Sequence, residues 1–137
     1  MTVAPKRTAV HHCAMSRILI NRYLADLDRT KRFSGSLTEE VIREAFKDLL
    51  KAWARDHGLV FQAEFMAQGP QKNTVKVDGA ILYALRVPLG LWEAKDTADN
   101  LDREIDKKLR KGYPQDNILF EDSVTAVLIQ NRIEVMR

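Results

Sequence analysis

The most regular pattern along the chain is an apolar stripe of helical period. Ile42, Ala45, Phe46, Leu49, Leu50 and Trp53 recur at i, i+3, i+4, i+7, i+8 and i+11, which is one face of a helix. Ser36 can cap its start and Gly58 can end it. A weaker stripe of Ile20, Tyr23, Leu24 and Leu27 predicts a helix over about Arg17 to Asp28, and residues 1–15 read as a loosely attached start. Beyond Gly58 the period shortens to two. Leu59 to Phe65 predicts a strand with Leu59, Phe61, Ala63 and Phe65 on one side. Gly69-Pro70-Gln71-Lys72-Asn73 is a turn signal, and Thr74 to Leu82 predicts a second strand. Pro88 opens a third strand that runs to Lys95, a position where proline is tolerated. Asn100 to Lys111 predicts another helix, with Leu101, Ile105 and Leu109 along one side and Gly112 as its stop. Ser123 to Gln130 predicts the last strand, its Val-Thr-Ala-Val-Leu-Ile run suited to burial on both faces. The order helix, strand, strand, strand, helix, strand predicts an α/β fold: one four-stranded mixed sheet with helices on both faces.

Size and composition fit that reading. The 137 residues suit one domain, and 45% hydrophobic residues can bury a core. A single cysteine, Cys13, excludes an internal disulfide and fits a reducing cytoplasm. His11, His12 and Cys13 form no metal motif, because no second Cys/His pair follows at ligand spacing. No apolar run approaches a membrane span, and no signal peptide is visible. The net charge of +3 leans mildly towards polyanions, but its distribution is more telling. Residues 1–35 hold seven cations against two anions, a basic extension, while the body from residue 36 to 137 carries a net −2. Such an arm suits contact with nucleic acid, and equally a solvated tail.

Against this background, three ionisable residues stand out. The third strand reads Leu89-Gly90-Leu91-Trp92-Glu93-Ala94-Lys95, apolar on both faces until its end, which predicts a central position in the sheet. Glu93 and Lys95 share one face, roughly 6.6 Å apart along the backbone. Charge at the buried end of a central strand is costly unless it is paired or binds a metal. Read alone, the two make a simple ion pair. Asp78 changes that reading, because it interrupts the apolar second strand beside Gly79, and strands joined by a short connection are usually neighbours. Two carboxylates meeting at one sheet edge with a lysine beside them make a Mg²⁺ site of hard oxygen ligands.

Asp78, fourteen residues, then Glu93-Ala94-Lys95 resembles the signature of the PD-(D/E)XK nuclease superfamily, and the element order resembles that family's restriction-endonuclease-like α-β-β-β-α-β core. Thr38-Glu39 with Arg43 and Leu49-Leu50, Val77-Asp78-Gly79, Trp92-Glu93-Ala94-Lys95-Asp96 and Asn117-Ile118-Leu119-Phe120 look like nuclease domains of restriction-modification enzymes, in particular the Mrr-like domains of Type ISP enzymes and Type I motor subunits. The likeness covers about residues 36–130. It implies a DNA endonuclease domain with Asp78 and Glu93 as ligands of Mg²⁺ (or Mn²⁺ in its place), Lys95 as the group that positions the nucleophile, and DNA as partner. It also implies translocase or methyltransferase domains in a larger polypeptide. Val77 stands where the family has proline, and Leu109 replaces the glutamine of a Gln-x3-Tyr motif ending at Tyr113.

The family often adds an acid from its first helix. With Ile42 at zero, Glu39 falls at roughly 60°, on the apolar face, whereas Glu40 and Glu44 fall at roughly 160° and 200°. Glu39 is therefore the candidate third carboxylate, although Ser36-Leu37-Thr38-Glu39 also fits a capping box. Lys107, Lys108, Arg110 and Lys111 crowd the end of the second predicted helix, where they suit either DNA phosphates or the helix C-terminus. Asp96 suits a turn or cap. Two other functions fit the same pattern: a non-cleaving module that binds nucleic acid or protein, and a stand-alone nuclease for branched DNA.

Overall fold

A computed structural model describes the backbone of residues 6–137 and the side chains from Ala14 onward. The described elements are helices α1 (Lys6–Ser34) and α2 (Glu39–Asp56), strands β1 (Val60–Gln68), β2 (Thr74–Leu82) and β3 (Pro88–Ala94), helix α3 (Leu101–Arg110), and strands β4 (Asn117–Glu121), β5 (Ala126–Gln130) and β6 (Ile133–Met136). The fold class is mixed α/β, as the patterning predicts. The sheet, however, has six strands and not four, in the order β1-β2-β3-β4-β5-β6. Only β3 and β4 run parallel, and α3 carries the crossover between them.

Three corrections have local causes. The first helix starts at Lys6, well before Arg17, so residues 6–15 of the expected loose start are helical; its first five residues lie outside the described ones. No glycine or proline interrupts the chain from Lys6 to Ser34, so a helix can propagate through it. Gly35, at φ +80°, ends it, and its N–H bonds to the Lys31 carbonyl at 2.8 Å. Secondly, the strand expected at Ser123 begins only at Ala126. The Asp122 carboxylate accepts the N–H groups of Val124 and Thr125 at 3.0 and 2.7 Å, which makes Asp122–Thr125 a turn. Thirdly, β4 and β6 complete the sheet on that side. Asn131 and Arg132, both at positive φ, form the two-residue turn that leads into β6.

The two sheet faces pack differently. On one, Ala80, Leu82, Leu91, Ile118, Phe120, Val127 and Ile129 pack with Leu101 and Ile105 of α3 in the main core. On the other, Trp92 stacks on Phe46 of α2 at 5.6 Å between ring centres, and Tyr23 of α1 meets Phe46 edge-on at 5.1 Å. α1 docks through Leu19, Tyr23 and Leu27, spaced one turn apart and all buried. A largely apolar cavity of about 700 Å³ remains on this second face, beside Tyr23, Phe46, Trp92 and Leu128. β3 is third of six strands, so its C-terminal end lies in the middle of the sheet, as its two apolar faces predict.

Candidate active site

The backbone ladder between β2 and β3 stops short of the carboxylates. Its last pair on this side is Gly79 with Trp92. Beyond it β3 stays with β4, pairing Glu93 with Phe120 and Ala94 with Glu121, and the Lys95 N–H reaches the Glu121 carbonyl at 2.8 Å. β2 and β3 thus part at Asp78 and Glu93, which leaves two backbone N–H groups needing acceptors. The side chains supply them reciprocally. The Asp78 N–H donates to Glu93 Oε1 at 3.0 Å, and the Ala94 N–H donates to Asp78 Oδ2 at 2.8 Å. On the far side of β2, Glu64 of β1 takes a positive φ between the regular pairs Ala63–Gly79 and Phe65–Val77. Gly79 is needed for space: a Cβ there would lie 2.4 Å from the Phe61 ring and 2.9 Å from Trp92.

Each carboxylate also meets a cation from a helix. Arg43 of α2 places Nε 3.3 Å from Asp78 Oδ1 and Nη2 2.6 Å from Glu39 Oε1. Lys108 of α3 places Nζ 3.1 Å from Glu93 Oε2 and 3.2 Å from the Tyr113 hydroxyl, 4.9 Å from the centre of the Tyr113 ring. The Tyr113 hydroxyl donates in turn to the Lys76 carbonyl at 3.2 Å. Lys95 is only 8% exposed, and its Nζ lies 3.8 Å from Glu104 Oε2, a loose contact. Glu93 is the more deeply buried of the pair, at 5% side-chain exposure against 19% for Asp78. Burial pushes the Glu93 carboxyl up and the Asp78 charge adds to this, while Lys108 and then Lys95 oppose it. Burial alone would lower the Lys108 ammonium, but its bonds to Tyr113 and Glu93 outweigh that and hold it above its ordinary value.

Among the described residues, no three His, Cys, Asp or Glu side chains gather closely enough to hold a metal ion by themselves. The pair Asp78 and Glu93 nevertheless has the right chemistry for Mg²⁺, which usually takes one or two carboxylates and keeps waters or phosphate oxygens as its other ligands. Like charges held at one strand end are relieved by a cation, and Arg43 and Lys108 supply that charge here.

No protein-family model matches the chain, and no curated protein does. A solved structure does match: a cryo-EM structure of a DrdV–DNA complex, with a TM-score of 0.81 and 44% sequence identity. The chain shares the fold of one segment of DrdV. The match covers 87% of this chain and 12% of that one, so the chain spans about an eighth of the length of DrdV. The likeness therefore reaches most of the chain.

The fold brings Asp78 and Glu93 together and sets Lys95 two residues along the same strand end. Glu39 lies close by but reaches Asp78 only through Arg43. The capping box expected at Ser36 does not form. Thr38 is the cap, its hydroxyl accepting from the Val41 N–H at 3.5 Å, and Glu39 is the first helical residue. Asp96 does make a turn, accepting the Ala98 N–H at 2.9 Å. Of the cations near the end of α3, Arg110 pairs with Asp106 on the helix surface, whereas Lys108 turns inward to Glu93. Sequence reasoning missed Lys108 and Arg43 as partners of the carboxylates. The signal was available for Lys108, which follows Leu101 and Ile105 on the apolar side of α3. His11, His12 and Cys13 lie outside the described side chains.

Proposed function

We propose that the chain is a Mg²⁺-dependent DNA endonuclease domain that hydrolyses phosphodiester bonds, the nuclease part of a larger, cytoplasmic restriction-modification enzyme. The observation that carries this reading is the reciprocal pair of Asp78 and Glu93 at the parting of β2 and β3, with Lys95 beside it. The likeness to a segment of DrdV, a protein solved on DNA, supports DNA as the partner. The resemblance to restriction-modification nucleases, together with the small share of DrdV that is matched, supports translocase or methyltransferase domains elsewhere in the polypeptide.

In this reading the backbone bonds of Asp78 and Glu93 fix both carboxylates, so they hold a divalent cation without reordering. When bound, Mg²⁺ makes water a better nucleophile and offsets charge on the phosphate under attack. Lys95, gripped only loosely by Glu104, turns its ammonium to the attacking oxygen or to the charge that grows on the phosphate. A compact ammonium suits that task better than the flat fork of arginine. The test is nicking of supercoiled plasmid in Mg²⁺ by the wild type, Asp78→Asn and Lys95→Met. Asparagine keeps an acceptor for the Ala94 N–H while removing the charge. Each variant is expected to lose about 100-fold or more in rate. Folded variants that cut as fast as the wild type overturn the assignment.

A further inference from the structure

The two cations at the site share a design. Lys108 touches Glu93 and also has a second seat, the Tyr113 hydroxyl at 3.2 Å and the Tyr113 ring face at 4.9 Å. Arg43 touches Asp78 and also has a second seat, Glu39 at 2.6 Å. Each second partner lies on the cation's own helix or just past its end, so it stays close when the cation moves. Side-chain exposure of 18% for Lys108 and 36% for Arg43 leaves both long stems room to turn. Glu93 and Asp78, by contrast, are tied to backbone N–H groups and cannot follow.

We propose that Arg43 and Lys108 are resident counter-ions of the carboxylate pair, which a divalent cation displaces onto Glu39 and Tyr113. The inference rests on the metal-dependent reading above and adds how the site is regulated. Without a divalent ion, the two side chains neutralise the acids, so that the chain folds with a buried Glu93 that is not left bare. With one, carboxylates, divalent ion and two displaced cations would crowd together unless the cations leave, and the second seats receive them. Binding of the ion therefore works against two ion pairs, and its affinity is set below what the bare carboxylates would give. The two helices report the state of the sheet end through these side chains.

Titration calorimetry with Mn²⁺ on the whole chain tests this. A contact that merely props up the site would weaken metal binding when removed. A displaced counter-ion does the reverse. Lys108→Met and Arg43→Met are each expected to bind Mn²⁺ roughly tenfold more tightly than the wild type, and to melt at a lower temperature without metal. Lys108→Arg, which keeps the charge, is expected to stay near the wild-type affinity. Wild type that binds Mn²⁺, with methionine variants that bind it equally or more weakly, overturns the counter-ion role and leaves the nuclease reading standing. A wild type that binds no Mn²⁺ overturns both. Should Lys108→Met not fold, Arg43→Met at its more exposed position decides the matter by the same sign.

Discussion

Glu121 offers a measurement independent of the site chemistry. The residue is 2% exposed beside the apolar cavity of the second sheet face, where its carboxyl accepts the Tyr23 hydroxyl at 3.1 Å and the Ser123 N–H at 2.7 Å. Burial pushes it from the ordinary 4.5 up to about 7, against the lowering effect of the bonds from Ser123 and Tyr23. The folded chain thus keeps this proton over a range in which the unfolded chain has lost it. Unfolding releases a proton there, so stability falls as pH rises from about 4.5 to about 7 and is level above that. At 1.36 kcal/mol per unit, the full loss is about 3 kcal/mol. Glu121→Gln removes the titration and keeps an acceptor for both donors. In urea unfolding at intervals between about pH 5 and about pH 8, the variant is expected to gain on the wild type by about 2 to 3 kcal/mol, most of the full span. Taking the difference cancels the carboxylates common to both proteins. A difference that does not change with pH refutes the reasoning, because it would mean that Glu121 titrates alike in both states.

Other expectations follow from packing. Gly79→Ala drives a methyl into the Phe61 and Trp92 rings and is expected to cost about 1–3 kcal/mol, read as a lower urea midpoint at unchanged slope; an unaltered midpoint would show that the rings move aside freely. Asn117→Ala removes a bridge in which Nδ2 donates to the Leu89 carbonyl at 2.8 Å and Oδ1 accepts from Gln130 at 2.9 Å, and should cost about 1–2 kcal/mol in the same assay.

Much of this architecture could be read from the chain because its central elements carry strong periods. The stripe from Ile42 to Trp53 marks α2, and the apolar runs around Asp78 and Glu93 mark neighbouring central strands. A charged residue inside such a run is visible for the same reason that it is costly. The sheet margins are harder. β6 is an edge strand whose four residues are all exposed, so no burial pattern betrays it. β4 is five residues long, and its polar ends, Asn117 and Glu121, conceal the Ile118-Leu119-Phe120 run between them. α1 buries so narrow a stripe that its length rests on propagation more than on packing. The partners of the carboxylates were hidden for another reason. Arg43 is an ordinary helix cation in sequence, Lys108 reveals only that it shares the apolar side of α3, and the placement of α2 and α3 against the end of β3 is what shows which anions they meet.

The exchange of backbone partners between Asp78 and Glu93 has a consequence for how such a chain can change over generations. Each acid does two jobs, closing a gap in the main chain and carrying a negative charge. An amide of the same shape does the first and not the second. Drift to asparagine at 78 and glutamine at 93 could therefore leave the shape intact while the proposed chemistry is lost. A silent descendant of this kind would be told from an active one by two atoms and by nothing in its outline.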